Sequence, residues 1–143
     1  MLEQAVILCG GLGTRLGDLT ASTPKPMLPV AGKPFLDHLI QETARFGIRR
    51  ILLLAGRFGE QIVAAYDGQS RYGAAISVLV EPAPLGTGGA LRFAREALDP
   101  HFLLMNGDSW IDADLTSFML AWEKTLVEQP ALQVQMLLQR IAD

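Results

Sequence analysis

Short apolar runs alternate with stretches of helical period along this chain, and no other feature restricts its fold so strongly. The runs are residues 5–9, 50–55, 75–80, 102–105 and 132–138. The first four are nearly continuous in apolar residues, as strands buried on both faces are. The fifth alternates Leu132, Val134, Met136 and Leu138 with Gln133, Gln135 and Gln139, so one side of it is expected to face water. Between the runs, Pro34 opens a helix whose Phe35, Leu36, Leu39, Ile40 and Ala44 recur at helical spacing, and Gly47 supplies a left-handed stop. Further helices are expected at 59–66, 88–97 and 115–128. Strands and helices in this alternation make an α/β protein, with a mostly parallel sheet covered by helices.

Size and charge narrow what such a sheet can serve. A chain of 143 residues has enough length for one packed core, burying roughly two thirds of its unfolded surface. A net charge of −3 leaves no basic face for a nucleic acid, so any phosphate bound here is gripped locally. Cys9 is the single cysteine and has no internal disulfide partner, which makes the cytoplasm the expected compartment. The run at 5–9 is far shorter than the roughly 20 residues a membrane span needs, and Glu3 stands where a basic leader would begin, so neither a span nor a targeting segment is expected.

The segment 10–33 shows no regular period, and a loop of that length inside a domain is usually functional. It begins Gly10-Gly11-Leu12-Gly13-Thr14-Arg15-Leu16 directly after the first strand. Glycines allow positive φ and close approach, so that successive backbone N–H groups converge on phosphate oxygens. Two commoner phosphate loops do not fit. A P-loop ends in Gly-Lys-Ser/Thr, and a dinucleotide fingerprint needs a third glycine where this chain has Leu16 and an acidic residue closing the second strand. Further on, Pro24 and Pro26 frame Lys25. Each proline fixes its own φ and restricts its predecessor, so this lysine is aimed by its backbone. Arg15 and Lys25 together suit a triphosphate, whose charge grows at the bridging oxygen during attack.

These residues, continued through Thr20 and Thr23-Pro24-Lys25-Pro26-Met27-Leu28-Pro29-Val30-Ala31-Gly32-Lys33-Pro34, resemble the signature of the sugar-1-phosphate nucleotidyltransferases. The resemblance implies a Rossmann-like three-layer α/β/α fold of the nucleotide-diphospho-sugar transferase type. It implies a nucleoside triphosphate and a sugar 1-phosphate as substrates, giving a nucleotide sugar and pyrophosphate. It further implies that Leu8, Gly10, Gly11, Gly13 and Thr14 hold the nucleotide. By the same resemblance, Arg15 stabilises the leaving pyrophosphate and Lys25 contacts the reacting phosphates.

Two further segments carry chemistry. Glu81-Pro82-Ala83-Pro84-Leu85-Gly86-Thr87-Gly88-Gly89-Ala90 follows the third strand and opens a helix, exposing backbone that can bond a flat polar ring or an anion. The resemblance places Gly86, Thr87 and Gly88 against the nucleoside, while for Glu81 a solvated strand-end carboxylate is the more frequent case. Asn106-Gly107-Asp108-Ser109 turns at the carboxyl end of the fourth strand, where open α/β sheets bind ligands. Mg²⁺ is held by one or two carboxylates plus substrate phosphates, and Asp108 is the expected ligand. Asp112 reads as a loop residue and Asp114 as a helix cap. His38 and His101 have no partners at zinc-ligand spacing and read as structural. The lack of a nucleophile-plus-base arrangement agrees with the direct in-line displacement at the α-phosphorus that the resemblance implies.

Within the family the phrasing resembles guanylyltransferases acting on mannose-type or heptose 1-phosphates, with D-glycero-D-manno-heptose 1-phosphate favoured. A uridylyltransferase for an amino-sugar 1-phosphate is the competing reading. A non-catalytic nucleotide-sensing domain would tolerate loss of Arg15, Lys25 or Asp108, and all three are present. Family members continue beyond the fifth apolar run into sugar-recognition strands and a second metal-binding aspartate. Residues 1–143 are therefore expected to form the nucleotide-binding part, without turnover of their own, and the last strand to offer an apolar edge for homo-oligomer pairing.

Overall fold

The computed structural model describes residues 2–11 and 14–138, without the side chains of Thr14 and Arg15. Gln4–Cys9 forms β1, and after the glycine loop Pro29–Val30 (β2) pairs antiparallel with Lys33–Pro34 (β3). The chain continues through Phe35–Arg45 (α1), Arg50–Ala55 (β4), Gly59–Tyr66 (α2), Ser70–Arg71 (β5), Ala74–Val80 (β6), Gly86–Phe93 (α3), Leu103–Asn106 (β7) and Leu115–Glu128 (α4). Two units are distinguished, Leu2–Ser109 and Trp110–Asp143.

The first unit holds a five-stranded sheet in the order β5-β6-β4-β1-β7. β6, β4, β1 and β7 are parallel, and only the short β5 runs antiparallel. The continuous apolar strands follow from cover on both faces. Because side chains alternate along a strand, Val6, Leu52 and Leu54 face one way and pack with Ala90 of α3 and with Ala94 just after it. Ile7, Leu53 and Met105 face the other way, and there the Thr43 hydroxyl of α1 lies 3.4 Å from Met105 Sδ. Leu36, Leu39, Ile40 and Ala44 form the buried side of α1. Helices on both faces of a mostly parallel sheet give the three-layer α/β/α arrangement expected from the sequence.

Several sequence expectations need correction. Residues 132–138 form no strand: a strand exists through ladder bonds to a neighbour, and no described strand pairs with this segment. Val134, Met136 and Leu138 are instead 69%, 70% and 78% exposed, so the apolar edge expected to pair between chains is not formed. The helix expected at 88–97 starts earlier, at Gly86, whose φ of 68° turns the chain into it. It closes at Phe93 and passes through Ala94 into a 3-10 turn, Arg95–Ala97, in which Ala97 N bonds Ala94 O at 2.8 Å. The described residues of the segment 10–33 hold more regular structure than its lack of period implies. It contains 3-10 turns at Thr14–Thr20 and Lys25–Met27 besides the β2–β3 hairpin.

In the second unit Asp114 caps α4, accepting from Ser117 N at 3.1 Å and from Ser117 Oγ at 2.6 Å. Among the described residues no helix is long and apolar enough to cross a membrane.

Candidate functional site

Register builds the site. Cys9 pairs with Ala55, Ala55 with Val80, and Leu8 with Asn106, so the parallel strands end almost in line. Gly10, Gly56, Glu81 and Gly107 follow directly and share one edge. β1 also marks the point where the chain reverses its direction of travel across the sheet: it proceeds to β4 and β6 on one side and returns to β7 on the other. Ligands of open α/β sheets lie outside the carboxyl ends of strands at such a point.

Glycine is demanded at two of these strand ends by close approach. A Cβ on Gly56 would stand 2.9 Å from Gly10 Cα and 3.0 Å from its carbonyl oxygen. On Gly107 it would meet Leu8 O at 2.7 Å, and the Gly107 amide donates to that same oxygen at 2.8 Å. The backbones after β1, β4 and β7 are thus drawn together beneath one cleft.

That cleft has a volume of about 260 Å³ and is lined by Leu8, Gly10, Gly11, Lys25, Glu81 and Asp108, with Gly86 and Thr87 from the first turn of α3. Eight of the expected site residues are therefore placed as follows: Leu8, Gly10, Gly11, Lys25, Gly86, Thr87 and Asp108 on the cleft, and Gly88 off its lining. Gly13 and the side chains of Thr14 and Arg15 lie outside the described residues.

The proline frame around Lys25 acts as the sequence implies. Pro24 and Pro26 are both buried, and the turn between them closes with Met27 N bonded to Pro24 O at 2.8 Å. The lysine Nζ then donates to Asp108 Oδ2 at 2.9 Å, joining residues 83 apart in sequence. Both side chains keep substantial exposure, 34% and 45%, so the pair contributes little to stability and stays accessible to a ligand. The hydrogen bond from Lys25 holds the Asp108 carboxyl below the ordinary carboxylate range, burial opposes this, and a bond from Ser109 adds to it. Cys9 also lines the cleft; it is free and buried, and burial pushes its thiol up to about 12, which disfavours the thiolate.

From the sequence Glu81 reads more readily as a solvated strand-end carboxylate, and Asn106 as part of a turn. Both line the cleft. Glu81 Oε2 accepts from Leu85 N at 3.3 Å, while Oε1 lies 3.5 Å from where a Gly10 side chain would begin. The signal was the glycine across the cleft, which only the register makes visible. His38 Nε2 lies 2.8 Å from Val30 O at the β2–β3 hairpin.

The residues fit a Mg²⁺ shared with substrate phosphates. Asp108 supplies one anionic donor, and phosphate oxygens make up the rest of such a shell. Among the described residues no group of three or more His, Cys, Asp or Glu could cage a metal alone.

A family described as nucleotidyl transferase matches residues 4–131. The chain is 37% identical over 117 residues to D-glycero-alpha-D-manno-heptose 1-phosphate guanylyltransferase of Campylobacter jejuni, covering 82% of this chain and 52% of that protein. It is 40% identical to mannose-1-phosphate guanylyltransferase of Mycobacterium tuberculosis, covering 81% and 33% respectively. The crystal structure of HddC from Yersinia pseudotuberculosis complexed with GMP-PN aligns with a TM-score of 0.74 at 33% identity, over 87% of this chain and 55% of that one. The chain thus spans about half, or less, of the length of these relatives.

Proposed function

Because the chain belongs to the nucleotidyl transferase family, we propose that it is the nucleotide-binding part of a sugar-1-phosphate guanylyltransferase, a cytoplasmic enzyme that moves GMP from GTP to a mannose-type or heptose 1-phosphate and releases pyrophosphate. The observation that carries this reading is the Lys25–Asp108 pair, set at 2.9 Å in the lining of a cleft that Gly10 and Gly11 also line. A cation and a carboxylate held side by side, both reachable from solvent, are poised to exchange each other for a phosphate and a metal.

Backbone N–H groups at Gly10 and Gly11 gather the triphosphate. Lys25 turns from Asp108 to the non-bridging oxygens of the reacting phosphate, where charge develops, and Arg15 receives the departing pyrophosphate. Asp108, released from Lys25, offers its carboxylate to Mg²⁺. Mg²⁺ held there by Asp108 and phosphate oxygens would neutralise phosphate charge. Gly86 and Thr87 border the nucleoside. Glu81 supports guanine in particular: an ionised carboxylate accepts only, and guanine alone among the four bases presents two adjacent donors, N1–H and N2–H2, on its pairing edge. The wall for the sugar is assigned to residues outside this chain, which covers about half of its relatives.

The test is pyrophosphate release by the longest natural form of the protein, with each triphosphate and with mannose and heptose 1-phosphates. Release is expected from GTP only when a sugar phosphate is present, and Lys25→Ala or Asp108→Asn should each lower it by about two to three powers of ten. No release with any pair, or near-normal rates in either variant, would overturn the assignment.

A further inference from the structure

The loop carrying Lys25 is held at two points by the α2 region. At its start, Gly56 in the turn before α2 abuts the Gly10 backbone with no room for a side chain, and Gly59 N bonds Gly56 O at 2.9 Å to hold that turn. Midway along it, just before Lys25, Gln61 in the first turn of α2 donates through Nε2 to the carbonyl of Ser22 at 2.7 Å, across 39 residues of sequence.

The chain from Ser22 to Lys25 transmits that restraint. Pro24 has a φ of −64° and is buried, Pro26 is buried, and Leu28 N closes on Lys25 O at 3.1 Å. Little slack remains between the carbonyl that Gln61 grips and the lysine that meets Asp108. Small misplacements of a charged group in a reacting site cost far more than their size suggests, so the anchor of this segment bears on the chemistry without touching it.

We propose that Gln61 is a positioning residue, whose bond to Ser22 sets the segment carrying Lys25 over the cleft and so presents the lysine to bound phosphates. The inference rests on the nucleotide reading above, but its first consequence is visible without any ligand. Gln61→Met removes the donor while keeping length and helix propensity and adding no charge. Gln61→Lys restores a donor at similar reach.

Hydrogen exchange of the peptides spanning residues 17–25 should quicken about fivefold in Gln61→Met, the scale of one net hydrogen bond, and return toward wild type in Gln61→Lys. Magnesium-GTP affinity, measured by calorimetry on the same 143-residue chain, should fall by a similar factor in Gln61→Met and recover in Gln61→Lys, while the melting temperature falls by only the few degrees that one hydrogen bond is worth. A bond with a purely structural role would lower the melting temperature and leave the affinity unchanged. Unchanged exchange in Gln61→Met, or altered exchange with unaltered affinity, overturns the positioning role. A wild-type chain that binds no triphosphate, with exchange still responding to the substitution, defeats the nucleotide reading and the presentation of Lys25 to phosphate together, leaving a purely structural tether.

Discussion

At the scale of single residues, the site is a set of charges whose partners are near but replaceable. Lys25 and Asp108 share one bond at 2.9 Å and both remain accessible; the binding of phosphate and metal can therefore displace it at small cost. Glu81 is the residue through which base choice is tested. Substituting Glu81→Gln leaves the size but replaces one acceptor with a donor, which faces guanine's N1–H and N2–H2 unfavourably and matches uracil's alternating acceptors and donor better. The ratio of GTP to UTP affinity should fall by roughly tenfold to a hundredfold, the range of one well-formed base contact. Competition binding with both nucleotides checks this, and an unchanged ratio would remove Glu81 from base selection.

At the scale of elements, legibility followed local signals. α1, α2 and α4 were readable because apolar period and stop signals agreed, and Pro34 and Gly47 bound α1 as their chemistry implies. The strands at β4 and β6 were readable because burial on both faces leaves continuous apolar runs. Residues 132–138 carried the right alternation and still form no strand, since alternation describes a face and pairing requires a neighbour. The two-residue strands β2, β3 and β5 were not legible, being too short to show any period. The convergence of Lys25 with Asp108 was foreseen only as two separate contacts, because which loops meet is decided by strand order and register. The cap of α4 gives a prediction with a definite sign. Bonds from Ser117, first through its side chain and then its backbone amide, hold the Asp114 carboxyl below its ordinary value. A depressed folded value means that the cap's contribution is complete above the unfolded value of about 3.9 and is lost as pH falls through the folded one. Thermal melts followed by helical circular dichroism should show Asp114→Ala less stable than wild type at neutral pH, with the gap closing below about pH 4; a gap independent of pH would mean that the carboxylate is not what caps the helix.

At the scale of the whole molecule, the parallel sheet serves to bring four strand ends to one edge. Gly10, Gly56, Glu81 and Gly107 follow those ends, the close approaches at Gly56 and Gly107 lock the edge together, and α2 reaches back to steady the loop above it. The central claim is that this edge binds a nucleoside triphosphate with its metal, and calorimetric titration of the 143-residue chain with ATP, GTP, CTP and UTP tests it most directly. The account predicts a ranked response with GTP tightest and a marked loss of affinity when Mg²⁺ is chelated. Equal, weak binding of all four nucleotides, indifferent to the chelator, would contradict it.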